Sequence, residues 1–182
     1  MKRRVSSGLL AAIVVAAGLM TPSSAMAAVD MFLKITDIKG ESTDKAHKDE
    51  IDVLSWSWGA STGTARSGKG VLPAACIQDL NVIKYVDAAS PQLILNAVTG
   101  AVANEAVLTM RKAGETPLEF LVLKMTNVIV VSYQTGGSGG ADRLTESVSL
   151  RFESLKGEYR RQKADGSADA PILFEVGGGV CK

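Results

Sequence analysis

Apolar and polar residues alternate along most of this chain with the two-residue period of β-strands. Val29-Asp30-Met31-Phe32-Leu33-Lys34-Ile35 is apolar and β-branched with an acid and a lysine interspersed, which predicts a strand. Residues 51–58 predict a second strand that changes phase. Ile51 and Val53 are apolar at odd positions, whereas Leu54, Trp56 and Trp58 continue at even ones. One extra residue rotates the rest of a strand to its other face, so the pattern predicts a β-bulge near Val53-Leu54. Further strands are predicted over residues 76–85, from Glu105 onward, over 118–133, around Val148, Leu150 and Phe152, and over 172–176. The 118–133 run is apolar on both phases and must be buried on both faces or curl through a barrel wall. One segment has helical spacing: Ser90 as N-cap, Pro91 at the first helical position, then Leu93, Ile94, Ala97 and Val98, with Gly100 as the stop. Residues 37–50 and 59–75 lack apolar periodicity and are predicted as loops, the second a long one of the kind that usually serves interaction. Many strands and one helix predict a mainly β protein, a sandwich or a barrel.

The first 27 residues do not follow this pattern. Lys2, Arg3 and Arg4 precede an apolar run from Leu9 to Met20, then Pro22, Ser23, Ser24 and the small-residue pattern Ala25-Met26-Ala27. That order is the layout of a secretory signal peptide, with cleavage expected after Ala27 and a mature domain over 28–182. The run falls well short of the about 20 apolar residues a membrane span needs, so no stable membrane anchor is expected. Losing the three basic residues of the leader turns the net charge from +1 to −2. No basic excess remains for nucleic acid.

Candidate chemistry is sparse. The single histidine, His47, lies in a charged loop with no activated nucleophile beside it and reads as solvated. Two cysteines cannot build a zinc site, and no cofactor or metal is expected. The glycine cluster Gly136, Gly137, Gly139 and Gly140 lacks the Lys-Ser/Thr of a phosphate loop and is followed by an alternating strand pattern, so it reads as a flexible connection able to reach a neighbour. Trp56 and Trp58 sit two apart, so both rings project to one face, as core or interface anchors. Ser55 and Ser57 project to the other face. An exported destination makes a Cys76–Cys181 pairing, within or between chains, an expectation. Nothing here assembles a catalytic set, and the chain reads as a non-enzyme.

Four stretches together resemble a known family: Val29-Asp-Met-Phe-Leu-Lys-Ile35 with Lys39-Gly-Glu-Ser42, Glu50-Ile-Asp-Val-Leu-Ser-Trp-Ser-Trp-Gly59, Thr135-Gly-Gly-Ser-Gly-Gly-Ala-Asp-Arg-Leu-Thr-Glu146, and Gln162-Lys-Ala-Asp-Gly166. The chain resembles Hcp, the hemolysin-coregulated protein family of the type VI secretion inner tube. The resemblance implies two sheets closed into a barrel-like sandwich with a flanking helix and a protruding loop. It also implies a homohexameric ring that stacks into a tube, spike and sheath components as partners, effectors carried in the lumen, and secretion of the protein itself. The protruding loop corresponds to residues 59–75, where Arg66 and Lys69 become candidate ring contacts along with the glycine cluster. Ser55 and Ser57 become the candidate lumen and cargo face. The leader departs from the family, whose members assemble in the cytoplasm. It leaves two expectations: translation from Met26, or an Sec-exported Hcp-like binding or adhesion module that builds no tube.

Overall fold

The computed structural model describes residues 29–67, 70–114 and 116–177, with the side chains of 63–74 outside the description. The expected leader and Cys181 therefore lie outside the described residues. The elements in order are β1 (Val29–Ile35), β2 (Ile51–Ser57), β3 (Ala60–Ser67), β4 (Gly70–Ile77), β5 (Leu80–Tyr85), α1 (Ser90–Thr99), β6 (Val102–Lys112), β7 (Leu118–Gly136), β8 (Thr145–Arg151), β9 (Ser154–Tyr159) and β10 (Ile172–Gly177).

Every pairing is antiparallel, and β7, β6, β1, β2, β5 and β8 follow one another until β8 pairs back onto β7. That closure makes a barrel and removes the unpaired edges of its wall. β7 explains its double-phase apolar pattern by curling through the wall. Its first half pairs with β9 and its second half with β8, with a register shift between Val130 and Ser132. β10 adds to the outer side of β9. Inside the barrel, Leu33, Ile51, Leu80, Val82, Leu108, Leu123, Met125, Leu150 and Leu155 form a core essentially sealed from water. The β2 bulge falls where the phase change predicts it, with the register shifting between Val53 and Ser55 and Leu54 left over.

Three expectations need correcting. Residues 59–75 are not a loop: β3 and β4 form a two-stranded ribbon, paired from Ala60–Ile77 to Ser67–Gly70. It is a sheet of its own. The ribbon's sequence carries no apolar alternation from which two strands could be read. The strand expected over 76–85 is accordingly two strands, split at Gln78-Asp79. β9 was not predicted at all, since Ser154-Leu-Lys-Gly-Glu-Tyr159 buries only Leu155 and Gly157. Gly157 replaces a side chain with the ring of Phe174 from β10, which lies where its Cβ would stand. Finally, Ser90 does not cap α1. Ala89 occupies the N-cap and no side chain bonds there. The Pro91 start and the Gly100 stop hold, the glycine being left-handed (φ 69°) with its N–H donated to the Asn96 carbonyl at 2.9 Å.

Candidate functional site

The bulge at Leu54 decides what the barrel shows to its surroundings. Past it, Trp56 turns inward and Ser55 and Ser57 turn outward. Trp56 and Trp58 are partly buried and pack against the core, with Trp58 tilted against Phe152 at 6.5 Å between ring centroids. The Trp58 indole N–H is buried without a hydrogen-bond partner among the described residues. Ser55 and Ser57 are exposed. Cross-strand register extends their face over three more strands. Ser55 aligns with Ile83, Ser147 and Gln134, and Ser57 with Asn81, Ser149 and Ser132. Residues in register share a face, so four neighbouring strands present a mostly polar sheet surface with serines on β2, β7 and β8, interrupted by the exposed Ile83 of β5. Ser149 fixes part of it by donating to Asn81 Oδ1 at 2.6 Å. The sequence showed only the two serines of β2; the rest are strangers in sequence that pairing brings together.

Behind this face lies a buried ionic cluster that the sequence reading missed. Lys84 points inward from β5, in phase with Leu80 and Val82, and is fully buried. Its Nζ donates to Glu146 Oε1 and Asp87 Oδ1, each at 2.6 Å, and to the Tyr85 carbonyl at 2.8 Å. Ser90 at the start of α1 donates to the same Glu146 oxygen at 3.0 Å, and the Tyr133 hydroxyl donates to the other. Burial, and then the hydrogen bond to Glu146, push the Tyr133 hydroxyl up to about 12. The cluster ties α1 to β5, β7 and β8, and Ser90 serves it instead of a helix cap. A lysine in phase with core residues was the available signal.

His47 is likewise not solvated. It is buried, stacked on Phe32 with centroids 4.2 Å apart, and bonded through Nδ1 to Glu50 Oε2 at 2.9 Å. Its Nε2 stands 3.5 Å from Glu119 Oε1, too poorly aimed for a hydrogen bond. Nearby, Arg111 of β6 grips both oxygens of Asp44 (3.0 and 2.6 Å) and reaches Asp30 at 3.0 Å. Arg111 and the amides of Ala46 and His47 hold the Asp44 carboxyl well below the usual carboxylate range. These contacts pin residues 37–50 to the barrel. The histidine was legible only through Phe32 and Glu50, whose roles tertiary packing sets.

The remaining candidates are peripheral. Gly136 is the last residue of β7, paired with Thr145, while Gly137, Gly139 and Gly140 form an exposed connection (Gly140 φ 117°) leading into strand β8 rather than a helix. Arg66 lies in β3 opposite Val71, its side chain outside the description, and Lys69 lies outside the described residues. Among the described residues no group of three or more His, Cys, Asp or Glu is placed to hold a metal, and no helix is long and apolar enough to cross a membrane.

The fold and this face define a closed antiparallel β-barrel with a flanking helix and a broad, mostly polar exposed sheet surface. A family model described as "Type VI secretion system effector, Hcp" matches residues 32–159. Protein hcp1 of Pseudomonas aeruginosa is 48% identical over 151 residues, covering 81% of this chain and 93% of that protein. Among solved structures, Hcp1 from Salmonella typhimurium is similar at 35% identity and TM-score 0.66, covering 84% of this chain and 95% of that one. A type VI secretion system effector from Yersinia pestis is similar at 33% identity and TM-score 0.66, covering 82% and 100%. The chain belongs to the Hcp family of the type VI secretion system.

Proposed function

We propose that this chain is the ring subunit of a type VI secretion tube: six copies close into a ring, rings stack, and the lumen carries effector proteins. The serine face carries this reading. Serine hydroxyls on β2, β7 and β8, with Asn81 and Ile83 of β5 between them, give a largely polar, wetted wall, to which a cargo protein binds weakly enough to be released. In this arrangement Ser55 and Ser57 line the lumen, and the β3–β4 ribbon and the 137–140 connection meet neighbouring subunits or rings, with spike and sheath components as further partners. The protein itself is secreted with its cargo.

The test is Ser57→Arg. An exposed strand position changes stability by only about 0.5 kcal/mol, so native mass spectra should still show hexamers while co-expressed cargo is no longer retained. Loss of the hexamer would make the face an interface and end the lumen assignment. Rings that keep their cargo would end the carrier assignment.

The leader pattern supports a second reading, a Sec-exported Hcp-like binding or adhesion module that builds no tube. Intact mass of the extracellular protein separates the two. A start at Ala28 with a monomeric native spectrum supports export; a start at Met26 with hexamers supports cytoplasmic assembly.

A further inference from the structure

The core-facing side of the sheet runs on past what the described part of the chain covers. Register puts Met31, Met110, Leu121, Tyr159 and Ile172 in one row across β1, β6, β7, β9 and β10. Residues two apart on a strand share a face, and this face is the one that carries Leu33, Leu108 and Leu123 into the core. Exposure climbs along the row: Met110 is sealed at 2%, Tyr159 is open at 42% and Ile172 at 64%. Phe174, on the same face of β10, is exposed as well. These side chains are in phase with the core and lie in water. β10 is also a free edge, pairing with β9 alone. A second uncovered apolar surface lies at the other end of β6. Val102 opens that strand, eight residues and so about 27 Å from Met110, just after α1 ends. α1 buries Leu93 and Asn96 and leaves Ile94, Leu95 and Val98 in water, Val98 at 81%. No charged residue occurs from Ala88 to Asn104, whereas the outer face of a helix that stays in solvent normally carries charge.

We propose that these two surfaces meet between copies of this chain, the outer face of α1 in one copy seating on the open β9–β10 face of the next. By their exposed fractions the two surfaces together offer on the order of 900 Å² of apolar area, about the apolar share of a standard interface of roughly 1,600 Å². Helix on sheet is also the layering the chain uses within itself, where the inner side of α1 packs on β7. The surfaces sit at opposite ends of β6, so the contact is heterologous: each copy gives its helix to one neighbour and its open sheet to another. Contacts of that kind close into a ring or continue as a filament. Closure at six rests on the ring reading above; the contact itself does not.

The experiment is native mass spectrometry of the full chain at micromolar concentration, with the variants Ile172→Glu and Val98→Glu. Both positions are exposed, so the fold tolerates the change. Each variant spoils one surface and keeps the other, and each alone should be monomeric where the wild type is oligomeric. Mixed in equal amounts, they should form a one-to-one heterodimer and nothing larger, because a single sound junction remains between them. That dimer also shows that both variants are folded. Leu173→Glu mixed with Leu95→Glu should repeat the result. Oligomers of Val98→Glu beside monomeric Ile172→Glu would mean that β10 meets its own two-fold mate, and would overturn the proposal. So would two pairs of monomeric variants that do not combine. A wild-type hexamer untouched by any of the four substitutions would overturn this contact alone, whereas a monomeric wild type would overturn the ring reading with it. Oligomers of other sizes that obey the mixing rule would uphold the contact and end the six-fold ring.

Discussion

The buried Lys84–Glu146 pair gives the sharpest test of the packing described above. Both side chains have no exposure, and 2.6 Å separates Nζ from Oε1. At an effective dielectric constant of about 20, two unit charges at that distance attract by roughly 6 kcal/mol. Taking the two ions out of water costs several kcal/mol each, so the pair as a whole contributes little net stability. Removing one partner is a different matter. Lys84→Met fills similar space but leaves the Glu146 carboxylate buried with only the Ser90 and Tyr133 hydroxyls as donors, and leaves Asp87 without its cation. The expected cost is about 3–5 kcal/mol. The double variant Lys84→Met/Glu146→Leu removes both charges and should recover a large part of that loss. Urea unfolding at one fixed protein concentration reads both quantities, because self-association would otherwise shift the midpoints by mass action. A Lys84→Met loss under about 1 kcal/mol, or a double variant costing the sum of the two single changes, would refute the argument that burial makes these charges interdependent.

Acid should loosen the 37–50 segment first. The Asp44 carboxyl is depressed by Arg111, so its stabilising contribution is complete above the ordinary carboxylate range, about pH 4, and is lost as pH falls through its lower folded value. Side-chain NMR signals of His47 and Arg111 should report that release before the barrel unfolds; their change only together with the barrel core signals would contradict it. At the other extreme, the raised Tyr133 hydroxyl favours the fold below about pH 10 and loses that contribution as pH rises toward about 12. Tyrosinate absorbance of Tyr133→Phe against the wild type identifies the late-titrating group, and identical titrations would exclude it. Gly157→Ala places a methyl where the Phe174 ring now lies, so β10 should peel from β9 at a cost of about 1–3 kcal/mol, typical of overpacking. Unchanged stability and unchanged β10 amide exchange would show that the ring is not seated there.

The sequence by itself determined the elements that bury a face. Alternation marked β1, β6 and β8, the double-phase run marked β7 as barrel wall, and the phase change at Val53-Leu54 located the bulge to the residue, because in each case water exclusion selects which side chains are apolar. The helix was legible mainly from Pro91 and Gly100, whose backbone conformations suit a first turn and a left-handed stop, since Leu93 is buried but Ile94 and Val98 are exposed. Elements that bury little left no such record. The β3–β4 ribbon is a two-stranded sheet of its own whose sequence shows no alternation, and the inner side of β9 is partly a glycine under a borrowed phenylalanine. Nor could one strand's pattern foretell the serine face, since Ser57, Asn81, Ser149 and Ser132 become neighbours only through register. His47 and Lys84 make the same point with charge. Each is polar in sequence and buried in the fold, because Phe32, Glu50 and Glu119 meet the one, and Asp87 and Glu146 meet the other, only after the barrel closes. Local periodicity records where water is excluded; it carries no record of which distant partner makes a buried charge tolerable.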